Sequence, residues 1–117
     1  MKIFISSQLF YPSKLGGPAN AVYWLAKALV KSGHQVSVVT THISVNNAVP
    51  TDEWITLDGI RVIYCSGKGF PYINIIKTSY SEIKTADIVL LTSVCYKPEI
   101  ILAQSAIKLG KPVVWSP

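Results

Sequence analysis

The sequence predicts a doubly wound, open α/β domain with a mainly parallel sheet and helices on both faces. Three observations lead there. Short apolar, β-branched bursts recur along the chain, and stretches of helical periodicity alternate with them. Half of the 117 residues are hydrophobic, whereas only 15% are charged. Strands of a parallel sheet are buried on both faces and need that composition. A disordered chain is excluded by it. The same apolar content suits a fragment that has lost surfaces meant to cover it.

Lys2 to Ser6 (KIFIS) is the first expected strand. A long loop from Ser7 to Gly17 follows, rich in Ser, Pro and Gly. From Ala19 to Ser32, Val22, Leu25, Ala26 and Leu29 stand at i, i+3, i+4 and i+7, the spacing of one helix face. Pro18 suits the first helical turn, where its missing N–H costs nothing, and Gly33 suits the left-handed stop. Val36 to Thr40 (VSVVT) is β-branched and completes a strand–helix–strand unit.

Thr41 to Thr51 has no periodicity and reads as loop. Asp58-Gly59 between Ile55-Thr56-Leu57 and Ile60 to Tyr64 predicts a tight hairpin with a short edge strand. Ser66 to Pro71 reads as loop, and Asn74 to Lys84 as a helix with Ile76, Tyr80 and Ile83 on one face. Ile88 to Leu91 is an uninterrupted apolar strand. Pro98 opens a helix that runs to Leu109 with Gly110 as its stop, and Pro112 to Trp115 is a final strand.

Eleven Lys and Arg against six Asp and Glu give a net charge of +5. The basic residues are scattered and only one is Arg, so a nucleic-acid partner, which needs a clustered basic stripe, is not expected. Most of these lysines read as solubilising surface charge, and a phosphate-bearing ligand or an anionic lipid surface fits the excess better. Cys65 and Cys95 make neither a metal cluster nor a disulfide framework; each stands where a small buried hydrophobe is the plain expectation. No secretory signal and no apolar run long enough to span a bilayer is found. The expected compartment is cytoplasmic, with peripheral contact at the inner membrane face as an option.

Ligands of doubly wound sheets bind outside the carboxyl ends of the strands, which directs attention to the first loop. It holds Tyr11-Pro12-Ser13-Lys14-Leu15-Gly16-Gly17-Pro18-Ala19-Asn20. Glycines before a helix leave main-chain N–H groups bare, and the helix dipole adds positive charge there. A phosphate or carboxylate docked beside Lys14 and a simple sharp turn with a cap are equally good readings of these residues alone. Other phosphate motifs are missing. The glycines lie too far beyond the first strand for a dinucleotide fingerprint, and Gly67-Lys68-Gly69 lacks the hydroxyl and helix of a P-loop. His34, between helix and strand, reads as a capping and packing residue. Tyr23 and Trp24 read as packing or surface residues, and a membrane-facing patch of theirs with Lys27 and Lys31 is the lesser reading.

The stretch FYPSKLGGPANAVYWLAKALVKSGHQVSVVTT resembles the opening of glycosyltransferase family 4 and its relatives. Pro12, Gly16-Gly17, Leu25-Ala26, Leu29, Gly33-His34 and the strand ending at Thr40 occur in that family's order. Asp58-Gly59-Ile60-Arg61-Val62, Ala86-Asp87-Ile88-Val89 and Gly110-Lys111-Pro112-Val113-Val114 resemble later strand entries of the same family.

The resemblance implies the Rossmann-like N-terminal, acceptor-side domain of a retaining GT-B enzyme, which moves a sugar from a nucleotide diphosphate sugar to an acceptor without an active-site metal or further cofactor. It implies that Gly16 and Gly17 contact the donor. Tyr11, Lys14 and Asn20, with Ser93, Cys95 and Tyr96 after the fourth parallel-type strand, would line the cleft or meet a sugar or lipid-linked acceptor. Asn20 stands where many relatives carry a carboxylate or another polar residue. Residues 1–117 are expected to form a single truncated domain of this kind, without the donor-binding domain and without turnover by itself. Its uncovered edge and apolar face are expected to favour a homo-oligomer. A non-catalytic binding subunit needing a partner chain, or a nucleotide-binding Rossmann domain of another enzyme, are the alternatives.

Overall fold

The computed structural model describes residues 1–7, 10, 17–41, 50–65, 71–92 and 97–115; at 17–20, 71–74, 97–99 and 115 only the backbone is described. Chain order is β1 (Lys2–Ser6), α1 (Gly17–Lys31), β2 (Gln35–Thr41), β3 (Trp54–Leu57), β4 (Ile60–Cys65), α2 (Pro71–Thr85), β5 (Ile88–Leu91), α3 (Lys97–Lys108) and β6 (Val113–Trp115). The strands form one sheet in the order β3-β4-β2-β1-β5-β6. All neighbours are parallel except β3 and β4, the antiparallel hairpin. β3 is therefore the short outer strand that the Asp58-Gly59 turn predicts, and both turn residues take positive φ, 50° and 82°.

Side chains alternate across the sheet and sort themselves into two cores. On one face Ile3, Ile5, Val36, Val38, Ile60, Val62 and Tyr64 pack with Val22, Tyr23 and Ala26 of α1 and with Phe10. On the other, Phe4, Val39, Ile63, Cys65, Val89 and Leu91 pack under Ile75 and Ile83 of α2 and Leu102, Ala103 and Ala106 of α3. The predicted two-faced helix cover is thus present. Phe4 is completely buried at the centre of the second core; truncating such a phenyl to alanine costs about 3–5 kcal/mol.

The helix faces differ in detail from the periodic reading. Leu25 is 42% exposed, whereas Tyr23 is 7% exposed. The buried stripe of α1 centres on Ala26, and Tyr23 is drawn inward by Phe10, whose ring lies 6.0 Å away edge-on, and by Asp58, which accepts its hydroxyl proton. Trp24 stays on the surface under the Lys27 ammonium, 5.0 Å from its ring centre.

α2 starts at Pro71, earlier than the expected Asn74, because proline fits a first helical turn. Its inner face carries Ile75, Ser79, Glu82 and Ile83, while Tyr80 lies outward beside Lys84. Ile76 is only partly covered.

The strand order fixes where loops diverge. From β1 the chain moves to β2 and then β4 on one side; β5 and β6 extend the sheet on the other. The loop leaving β1 leads to α1 on the first face, and the loop leaving β5 leads to α3 on the opposite face. The carboxyl ends of β1 and β5 are thus the switch point of this sheet, the place where doubly wound domains bind their ligands.

Candidate functional site

The carboxyl ends of the central strands finish in hydroxyl residues: Ser6-Ser7 after β1, Thr40-Thr41 in β2 and Thr92 after β5. Ser7 donates its main-chain N–H to the Val39 carbonyl at 3.2 Å. The Ser6 carbonyl accepts from the Thr92 N–H at 3.2 Å and from Thr92 Oγ1 at 2.9 Å. Strands β1, β2 and β5 are therefore tied together at the carboxyl rim of the sheet. Ser6, Ser7 and Thr40 are buried, and Ser6 Oγ and Thr40 Oγ1 have no hydrogen-bond partner. A buried hydroxyl without a partner is costly and uncommon.

α1 opens at Gly17 and carries no acidic residue in its first turn. It joins two parallel neighbours, so it must run back across the sheet with its N-terminus at the carboxyl edge. Its first-turn main-chain N–H groups and the positive end of its dipole belong to that edge, with no acidic residue in the turn. Asn20 follows within the same opening turn. Tyr11, Lys14 and Gly16 in the preceding loop, and Ser93, Cys95 and Tyr96 after β5, lie outside the described residues. These loops flank the switch point in the chain on either side.

The chemistry of the described rim is that of binding and orientation. Cys65, at the end of β4, is buried, and desolvation, helped by the negative charge of Asp52, pushes its thiol from 9.0 to about 12. It stays protonated at neutral pH and is no nucleophile. Asp52 is held beside the strand end by its N–H bond to the Tyr64 carbonyl at 2.8 Å. Hydroxyls, by contrast, both donate and accept, and suit a ligand rich in oxygen.

The hydroxyl rim was not among the residues singled out from sequence. Its signal is visible in retrospect in the endings FISS, VVTT and LLTS, each an apolar strand closed by small hydroxyl residues. His34 sits at the opposite edge, where α1 turns into β2, as expected for a turn residue: its N–H bonds to the Leu29 carbonyl at 3.2 Å.

Sheet order and two-faced helix cover define an open, doubly wound α/β domain whose switch point lies at the carboxyl ends of β1 and β5. No protein-family model matches the chain. A segment of 75 residues, 64% of the chain, is 36% identical to a protein of Klebsiella pneumoniae described as an uncharacterized 42.6 kDa protein in cps region. The chain spans 17% of the length of that relative. Among the described residues no helix is long and apolar enough to cross a membrane.

Proposed function

We propose that this chain is the acceptor-side, Rossmann-like part of a retaining GT-B glycosyltransferase acting in polysaccharide biosynthesis, and that the whole protein transfers a sugar from a nucleotide diphosphate sugar. The carrying observation is the opening of α1 at Gly17, the second glycine of Gly16-Gly17, on the carboxyl side of the switch strand β1. Bare N–H groups at a helix start are suited to a diphosphate. At the same edge Thr92 bonds the Ser6 carbonyl through its N–H and its hydroxyl and braces the ends of β1 and β5. The relative's position in a cps, or capsule polysaccharide, region supports the biosynthetic setting.

In this reading Gly16 and Gly17 approach the donor. Tyr11, Lys14, Asn20, Ser93, Cys95 and Tyr96 line the acceptor side, where a sugar or lipid-linked acceptor is held. Peripheral contact with a membrane follows from a lipid-linked acceptor. The reading assigns no metal to this part of the protein. A second copy of the chain is a further proposed partner, through the outer face of α3 and the β6 edge.

The test is a titration of the isotope-labelled 117-residue chain with uridine, guanosine and thymidine diphosphate sugars, followed by amide NMR. The expected result is weak, saturable displacement of the Gly16 and Gly17 signals by at least one nucleotide, with no sugar transfer by the chain alone. If no nucleotide moves these signals, or if the shifts arise only at the amino ends of the strands, the assignment fails. Metal-independent transfer by this polypeptide alone would overturn the division of labour between it and a separate donor domain.

A further inference from the structure

At the amino edge of the sheet, opposite the proposed donor crevice, a cavity of about 290 Å³ is lined by Lys2, His34, Gln35, Ser37, Gly59 and Arg61. We propose that this cavity is a second ligand site, which takes a small oxyanion, a carboxylate or a phosphate group. It is independent of the carboxyl rim and of the function proposed for it.

The sheet register assembles the site. Lys2 pairs with Gln35 and Ser37 pairs with Arg61 across adjacent parallel strands, so the four side chains project from one face. Ser37 is 3% exposed, yet its Oγ has no partner. The same is true of His34 Nδ1, buried at the same cavity. Two buried polar atoms left open at one cavity point to something that completes them.

The charged groups decide its sign. Lys2 Nζ spends one bond on Thr85 Oγ1 at 2.6 Å, and an ammonium has three donors. Arg61 engages Glu82 through Nη1 alone at 2.6 Å, and a guanidinium has five N–H groups. The neighbouring carboxylates are already engaged: Glu82 by Arg61, and Asp87 by the Lys2 main-chain N–H at 2.7 Å. Lys and Arg accept no hydrogen bonds, so a cation finds no ligand from them, whereas an oxyanion meets donors from Lys2, Arg61 and Ser37.

Helices α1 and α2 both end at this edge, and their carbonyl ends oppose an anion. Part of that opposition is removed, because N–H groups of Ser32, Gly33 and His34 cap the last carbonyls of α1. The volume is at the lower end for ligand cavities and suits a small ion with water, not a nucleotide.

The test titrates the labelled chain separately with inorganic phosphate and with acetate, using sodium chloride at equal ionic strength as the reference. Saturable amide shifts at Gln35, Ser37 and Gly59 with either anion support the site, and the preferred anion identifies the ligand class. Lys2→Gln is expected to weaken binding about tenfold, the loss of one charge-assisted bond. Ser37→Ala, which removes a neutral donor and no charge, weakens it less and serves as the second variant should Lys2→Gln disturb the fold. Shifts that chloride reproduces, that stay linear with concentration, or that neither variant diminishes mean a solvent-filled notch and overturn the proposal.

Discussion

Arg61 on β4 holds Glu82 of α2 at 2.6 Å and lays its guanidinium over the Trp54 ring, 4.0 Å from the centroid. One side chain thus clamps a helix to the sheet and covers the hairpin strand. The two partners differ in burial: the Arg61 side chain is 49% exposed and that of Glu82 only 10%. Removing the arginine leaves a nearly buried carboxylate alone, whereas removing the carboxylate leaves a guanidinium that water reaches. We expect Arg61→Ala to cost about 1.5–3 kcal/mol, and Glu82→Gln to cost clearly less. Urea denaturation of both variants checks this; equal losses would show that the unequal burial of the two partners does not set the cost.

Tyr23 of α1 donates its hydroxyl to Asp58 in the hairpin turn, joining the first helix to the far side of the sheet. Tyr23→Phe keeps the ring packing and is expected to cost about 1 kcal/mol, the net worth of a typical hydrogen bond. Gly59 beside it is less tolerant. Its φ is 82°, and an added Cβ would lie 2.8 Å from Val30 Cγ1. Gly59→Ala is therefore expected to cost about 1–3 kcal/mol, and more than Tyr23→Phe. Thermal melts of the two variants decide the order, and a Gly59→Ala chain as stable as the parent contradicts the geometry.

These residues also show what the sequence made legible. The hairpin, the Gly33 and Gly110 stops with φ of 93° and 72°, and the β1 bounds Lys2–Ser6 follow from local chemistry and appear as expected. Helix faces were less legible, because periodicity counts hydrophobic residues without knowing what stands opposite. Leu25 satisfies the period but lies outward, whereas Tyr23 finds Phe10 and Asp58 waiting. The hidden polar residues Ser79 and Glu82 on the inner face of α2 are invisible to any apolar stripe, and Glu82 depends on a partner far away in sequence. For the site, a helix start beside the diglycine and proline was legible, although α1 opens at Gly17, two residues before the expected Ala19. The hydroxyl rim and the amino-edge cavity were not, since only the lateral order of strands brings their members together.

Cys65 supplies a pH dependence. Its folded-state value of about 12 lies above the 9.0 of an exposed thiol, because burial and then Asp52 disfavour the thiolate. The unfolded chain therefore releases its proton first as pH rises. Below pH 9 the group contributes no pH dependence; between about 9 and 12 it lowers stability with a limiting slope of about 1.4 kcal/mol per pH unit. In a Cys95→Ser background, a disulfide reagent should leave Cys65 unmodified at pH 8 under native conditions and react on unfolding. Rapid native labelling at pH 8 would contradict the burial.

The outer surface of α3 is unusually apolar: Ile100 is 52% and Ile107 70% exposed, and Val114 on the edge strand β6 is 48% exposed. Ile100 and Ile107 are two turns apart and so share a side of the helix. Each exposed isoleucine hidden in a contact contributes up to roughly 1.5–3 kcal/mol, enough in combination to drive self-association together with the outer edge of β6, which pairs with no other described strand. The inner residues Leu102, Ala103 and Ala106 hold α3 on the sheet without help from these side chains. Ile100→Gln with Ile107→Gln is therefore expected to leave unfolding stability within about 0.5 kcal/mol, while shifting the sedimentation of the chain toward the monomer. A parent chain that sediments as a monomer at roughly millimolar concentration, about −4 kcal/mol in association free energy, removes the case for a second copy on this face.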